Sequence, residues 1–237
     1  MLKQIIESNE TYNFEKTISL IYPFITTKIS SFYLDFAKDI LYIEMPNCKE
    51  RRTIQSNIYD LLLDLLIILT PIIPHTTSEA YSYLNINERF KKEDIYLENM
   101  PTITQIDNFI DTFKQQDTNS EEQKAYQKFL DLRDLILKKL EEARKNQIIN
   151  KSLEAKIILE LTTEYLNILT KLKISNCLHQ LLIVSEVKII RSFQIEIKII
   201  KYIGKTCPRC WNVINYNTHN ELCNRCDLVV KNLIKKN

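Results

Sequence analysis

From residue 13 to about residue 84 the apolar positions recur every three or four residues. Phe14, Ile18 and Ile21 are followed by Ile29, Phe32, Phe36 and Ile40, then by Ile54, Ile58, Leu61, Leu62 and Leu65. That spacing places them on single faces of successive helices and predicts an amphipathic helical bundle. Proline has no amide proton and clashes with the preceding turn, so Pro23 is expected to divide the first stretch and Pro46 to end the second. Thr76 with Glu79 three residues on has the form of a capping box and predicts a further short helix. Between 85 and 119 the pattern turns mixed and polar, with Pro101 in the middle, and predicts a surface connector. At Ser120, with Gln123, a second capping box opens a long helix. Its apolar side carries Tyr126, Phe129, Leu130, Ile136, Leu137, Leu140 and Ala143.

After Lys151 the period changes to two. "AKIILEL", "QLLIVSEVKII" and "FQIEIKIIKYI" alternate apolar and polar residues and predict strands, with "TTEYLNILTKLK" as a helix between the first two. The expected fold is mainly α: a helical bundle with its connector over 1–118, a long helix over 119–149, a small α/β unit over 150–203 and a cysteine-bearing module over 204–237.

Composition narrows the chemistry. The net charge of the 237 residues is only +2. Seven Lys and Arg face Glu221 and Asp227 from residue 201 onward, so the basic charge is gathered at the cysteine-bearing end. The first residues have neither the apolar core of a signal peptide nor the Arg-rich character of a transit peptide, so no export is expected. The most apolar run, "IYDLLLDLLIILTPIIP", is cut by Asp60, Asp64 and two prolines and falls short of the about 20 residues a bilayer span needs. It is expected to be a buried helix, with no membrane partner. Gly204 is the single glycine. Glycine-rich phosphate loops and the Gly-x-Ser-x-Gly nucleophile elbow need at least two, and both are excluded.

Cys207-x2-Cys210 and Cys223-x2-Cys226, twelve residues apart, have the spacing of a zinc ribbon. Two thiolates from each turn can close a tetrahedron around one structural Zn2+. Two disulfides or a redox pair are the other reading, and His219 between the pairs offers an alternative ligand. Cys48 and Cys177 stand alone as expected small buried hydrophobes, and His75 and His179 as structural or exposed histidines. No catalytic residue is identified.

Trp211, the only tryptophan, follows the second cysteine of the first pair beside the cations Lys205, Arg209 and Arg225. There its indole either stacks on an unpaired base while cations meet phosphates, or covers the metal site or packs on the neighbouring strands. Arg51 and Arg52 open the helix that carries the apolar run, against the helix dipole. An RNA backbone would favour them there, as would pairing with Glu44, Glu50 or Asp60.

Six blocks then carry a resemblance: "SSFYLDFAKDILYIE", "RRTIQSNIYDLL", "LTPIIPHTTSEAY", "DIYLENMP", "FLDLRDLILKKLEEARKNQIINKSLEAKIIL" and "KTCPRCWNV" with "LCNRCDLVV". In content and order the chain resembles the C-terminal part of the bacterial-type isoleucyl-tRNA synthetases. The resemblance implies an anticodon-binding bundle and a terminal zinc module that together grip the anticodon stem-loop of isoleucine tRNA, with Arg209, Trp211, Arg51 and Arg52 as RNA contacts. It also implies a cytoplasmic location or an organelle matrix. The catalytic motifs of the family, His-Ile-Gly-His and Lys-Met-Ser-Lys-Ser, are absent, and with them the site for ATP and the inserted editing domain. The chain is therefore expected to be a fragment or one half of a split gene. On its own it would be inactive as an isoleucine–tRNA ligase, with a separate polypeptide as the source of the catalytic domain. The alternative is a zinc-stabilised stand-alone nucleic-acid-binding or structural module. The DNA glycosylases with such an ending use an N-terminal proline, and here residue 2 is Leu2.

Overall fold

The computed structural model describes residues 1–84, 92–114, 117–215 and 221–234. It divides into two compact units, Met1–Ala37 with Pro46–Phe113, and Lys38–Met45 with Lys114–Asn237.

The first unit is helical from its start. α1 (Leu2–Glu10) precedes the stretch where the apolar pattern was expected to begin, and α2 (Phe14–Pro23) follows after a turn. Asn13 caps α2, its side chain accepting from the Lys16 amide at 3.2 Å. Pro23 does not divide the helix as expected. The chain passes through it into a π-helical run, Phe24–Leu34, and on into α3 (Asp35–Ile43). The chain changes to wider turns immediately after the proline. Thr27 Oγ1 donates to the Pro23 carbonyl at 2.6 Å and Thr26 Oγ1 to that of Tyr22 at 2.9 Å, so carbonyls beside the change are satisfied by hydroxyls.

α4 (Lys49–Leu69) holds the apolar run. Only Ile54, Leu66 and Ile68 of this helix are buried and Leu62 is exposed, so it is a half-covered helix rather than the buried one expected. α5 (Pro74–Ser82) starts two residues before Thr76, with Pro74 in its first turn, and no side chain caps it. The Thr76–Glu79 box is therefore not its start. Part of the expected connector is also ordered. A short 3-10 turn, Ile95–Leu97, buries Ile95 against Leu66 and Tyr81, and α6 spans Ile103–Lys114. Tyr81 Oη donates to Glu98 Oε1 at 2.7 Å, which satisfies the one polar atom of a buried ring.

The second unit is built on α7 (Asp117–Lys145). It begins three residues before Ser120, whose side chain lies outside the described residues. Phe129, Leu132, Ile136, Leu140 and Ala143 form its buried stripe. Tyr126, expected on that side, is exposed, and Leu132 takes a place there. The sheet has the order β2-β1-β3, with β1 (Ala155–Leu161) parallel to β2 (Glu186–Arg191) and antiparallel to β3 (Glu196–Lys201). Ala155, Ile157, Leu159 and Leu161 are buried in strict alternation, one face of the central strand. The parallel pairing needs a crossover, supplied by α8 (Thr163–Lys171) and the single turn α9 (Leu178–Leu181). α9 takes the "QLL" that was expected to open a strand.

The cysteine-bearing end forms a two-stranded ladder, β4 (Lys205–Thr206) with β5 (Val213–Ile214), followed by α10 (Asn224–Ile234). Gly204 is required here: a Cβ at this position would lie 2.1 Å from the Ile214 carbonyl oxygen. Ser185, just before β2, fastens the ladder to the sheet. Its Oγ accepts from the Val213 amide at 2.7 Å and donates to the Leu153 carbonyl. No helix among the described residues is long and apolar enough to cross a membrane.

Candidate metal centre and nucleic-acid interface

The first cysteine pair sits in the turn between β4 and β5, and the second opens α10. All six cysteines are free in the structure. The Sγ atoms of Cys207, Cys210, Cys223 and Cys226 lie within 4.8 Å of one another, and those of Cys210 and Cys223 are 3.6 Å apart. A zinc ion about 2.3 Å from each of four sulfurs asks for sulfur–sulfur edges of roughly 3.8 Å, so the group is of the right size to hold one metal ion. His219 lies outside the described residues.

The surroundings also suit thiolates. The Cys223 amide points at Cys207 Sγ and the Cys226 amide at Cys223 Sγ, both at 3.4 Å. Asn212 Nδ2 approaches Cys210 Sγ at 3.6 Å and Arg209 Nη1 approaches Cys226 Sγ at 3.7 Å. Burial opposes the Cys207 thiolate, yet the amides of Cys223, Cys210 and Arg209 outweigh it and bring that thiol down to about 6. Burial first, then the neighbouring Cys223 sulfur, pushes Cys210 up and Cys226 up to about 11. With protons alone, burial disfavours charge on Cys210 and Cys226. Only a cation inside the tetrahedron makes four thiolates compatible.

Trp211 closes the first turn in the left-handed region at φ 63. Its side chain is 68% exposed, so it projects from the metal centre rather than covering it. Arg209 is half-buried and turned toward Cys226. Arg225 is not available to a phosphate as the sequence suggested. It is paired with Asp39 at 2.7 Å and with Glu44 at 2.6 Å. The structure thus brings the four cysteines, Arg209 and Trp211 together.

Arg51 and Arg52 belong to the other unit, in the first turn of α4. Arg52 is exposed and donates to Asn47 Oδ1 at 2.9 Å and to Gln55 Oε1 at 3.1 Å, two neutral acceptors, and it has no ion pair among the described residues. Cys48 is not the buried hydrophobe expected. It is half-buried at the start of α4, its sulfur accepting from the Arg51 amide at 3.4 Å. That capping role gives the first turn a partner besides any anion.

Sequence reasoning missed the Arg225 pairs, Ile43 beneath the cysteines and the Ser185 fastening. Asp39 and Glu44 are about 180 residues away from Arg225, and no local pattern could join them. The Gly204 requirement had a signal, since a lone glycine just before a cysteine turn marks a close backbone approach.

Comparison with known proteins adds the following. A family model described as the anticodon-binding domain of tRNA ligase matches residues 1–159. The isoleucine–tRNA ligase of Onion yellows phytoplasma (strain OY-M) is 48% identical over 231 residues, covering 98% of this chain and 24% of the relative. That of Acholeplasma laidlawii (strain PG-8A) is 41% identical over 97% of this chain and 24% of its own length. That of Bacillus mycoides (strain KBAB4) is 38% identical over 98% of this chain and 25% of its own length. The chain spans about a quarter of the length of these curated relatives.

Proposed function

Because the chain belongs to the family of anticodon-binding domains of tRNA ligases, we propose that it is the part of an isoleucine–tRNA ligase that grips the anticodon stem-loop of isoleucine tRNA. The observation that carries this reading is the match to isoleucine–tRNA ligases along nearly the whole chain, at 48% identity in one case. The geometry supports it. Unpaired loop bases are the readable part of an RNA, and an exposed indole on a rigid turn is a stacking platform for one of them. Arg52, exposed and held by two neutral amides, suits a phosphate oxygen, and Arg51 opens the same turn. Arg209 serves the metal centre as much as the RNA, since one of its nitrogens faces Cys226 Sγ.

The metal is zinc on this reading. Four thiolates at tetrahedral spacing select it, and Cys207, Cys210, Cys223 and Cys226 would hold it. When bound, it supplies charge to stabilise the thiolates and a fixed turn to carry Trp211. ATP and the attachment of isoleucine belong to the whole enzyme, whose catalytic part this chain lacks by its motifs; that part would be joined to it or supplied as a separate polypeptide. The place of work is the cytoplasm or an organelle matrix, where tRNA is charged.

The test is a titration of the full zinc-loaded chain with two synthetic stem-loops, one with the isoleucine anticodon and one with its three anticodon bases replaced. A preference of about tenfold or more for the first is expected, because each lost base contact costs on the order of 1–3 kcal/mol. Equal affinity for the two would overturn the anticodon reading. Loss of affinity with added salt in both cases would then report only phosphate binding.

A further inference from the structure

The least exposed ion pairs among the described residues join the second cysteine turn to the end of α3. Arg225 lies between Cys223 and Cys226. Its Nε is 2.6 Å from Glu44 Oε1 and its Nη1 is 2.7 Å from Asp39 Oδ2, and the three side chains are 23%, 25% and 24% exposed. Asp39 Oδ2 is also met by Gln180 Nε2 at 3.2 Å. Between the two carboxylates in sequence stands Ile43, buried in one cluster with Cys207, Cys210 and Cys226. Apart from the cysteines, the apolar side chains of that cluster among the described residues are Ile43 and the half-buried Leu222. The metal centre thus takes part of its apolar packing from α3. Lys38–Met45 accordingly belongs to the same compact unit as the cysteines, although α3 begins in the other.

We propose that metal loading of the four-cysteine site holds the end of α3 in place, with Arg225 as the positioning residue that carries the constraint from the second cysteine turn to Asp39 and Glu44.

The physical grounds are those of a shared constraint. Without a metal nothing covalent ties Cys223 and Cys226 to Cys207 and Cys210, and the turn that contains Arg225 is free to leave. Arg225 can hold two half-buried carboxylates only if its own backbone is fixed, since otherwise the entropy of ordering a long side chain opposes the pair. A cation at the C-terminal end of a helix also complements its dipole, so losing Arg225 removes charge where α3 most favours it. Ile43 loses its packing surface in the same event. Three residues beyond Glu44, Asn47 accepts from Arg52. The significance for RNA rests on the anticodon reading: the metal would then govern the support of α3 as well as the turn that bears Trp211.

Coupling of this kind is reciprocal, which supplies two readouts that involve no RNA. Hydrogen exchange followed by mass spectrometry on the full chain compares the zinc-loaded with the chelator-stripped protein. The segment Lys38–Met45 is expected to exchange at least about tenfold more slowly in the loaded form, while the core of α7 is unchanged. By reciprocity the double variant Asp39→Asn/Glu44→Gln is expected to bind zinc at least about tenfold more weakly in a chelator competition. Arg225→Lys, which keeps the charge, is expected to lie nearer the wild type than Arg225→Gln. Equal exchange of Lys38–Met45 in the loaded and stripped wild type overturns the proposal, and so does wild-type zinc affinity in the double variant. A chain that passes both tests yet ignores the stem-loop would overturn the anticodon reading alone.

Discussion

The amide of Trp211 donates to the carbonyl of Cys207 at 2.9 Å. This bond closes the first cysteine turn and fixes Trp211 at φ 63, a conformation that suits glycine. A side chain there costs on the order of 1–2 kcal/mol, and the exposed indole recovers little of it by packing. Trp211→Gly is therefore expected to melt at or above the temperature of Trp211→Ala, with full zinc content. A clear loss of stability in Trp211→Gly alone would mean that the indole packs more than its exposure indicates.

Gly204 stands opposite in this respect. Its φ is ordinary, but a Cβ would meet the Ile214 carbonyl oxygen at 2.1 Å, and backbone cannot step aside as a flexible side chain can. Gly204→Ala is expected to destabilise the β4–β5 ladder by about 1–3 kcal/mol, the usual cost of forcing extra volume into a packed site. Faster zinc loss to a chelator would accompany it. A denaturant midpoint equal to that of the wild type contradicts this.

Removing the metal is expected to unfold the end of the chain while the bundle and sheet remain. Structural zinc sites contribute about 10–16 kcal/mol of apparent binding energy, and here the cluster around the metal is mostly sulfur. Any single Cys→Ser change among the four should lower zinc content below half an ion per chain on a reduced sample. Far-ultraviolet dichroism should lose only the signal of α10 and its neighbours.

His179 gives a pH dependence with a definite sign. Burial, and secondarily Arg225, lower its pKa below the ordinary 6.5, while Asp39 opposes them. The unfolded chain then binds a proton that the folded chain resists, so folding stability falls as the pH drops below about 6.5 and is unaffected above about 7.5. His179→Gln, with the same Asp39 and Arg225 facing it, is expected to lose less stability than the wild type between about pH 7.5 and 5.5. Parallel curves for the two proteins over that range would contradict the shift.

The long helix and the central strand were legible in the sequence because each has one buried face with a regular period. The stripe Phe129, Ile136, Leu140, Ala143 and the alternation of "AKIILEL" both stand in the structure with the expected spacing. Local rules failed where the chain had another partner for the same group. After Pro23 the helical run continues in π-helical turns with threonine hydroxyls on the neighbouring carbonyls, and the Thr76 box was overtaken by an earlier proline start. At the site, the four cysteines were legible because ligand spacing is local. Arg225 was misjudged because its partners, Asp39 on α3 and Glu44 just after it, are far away in sequence and its charge alone suggested an anion.

The most direct measurement is the titration of the full zinc-loaded chain and its Trp211→Ala variant with the isoleucine anticodon stem-loop at fixed salt. Stacking on a single indole is worth about 1–3 kcal/mol, so the variant is expected to bind roughly 5- to 150-fold more weakly, with unchanged zinc content and melting temperature. Wild-type affinity in Trp211→Ala would contradict the claim that the metal-held turn presents its indole to the RNA.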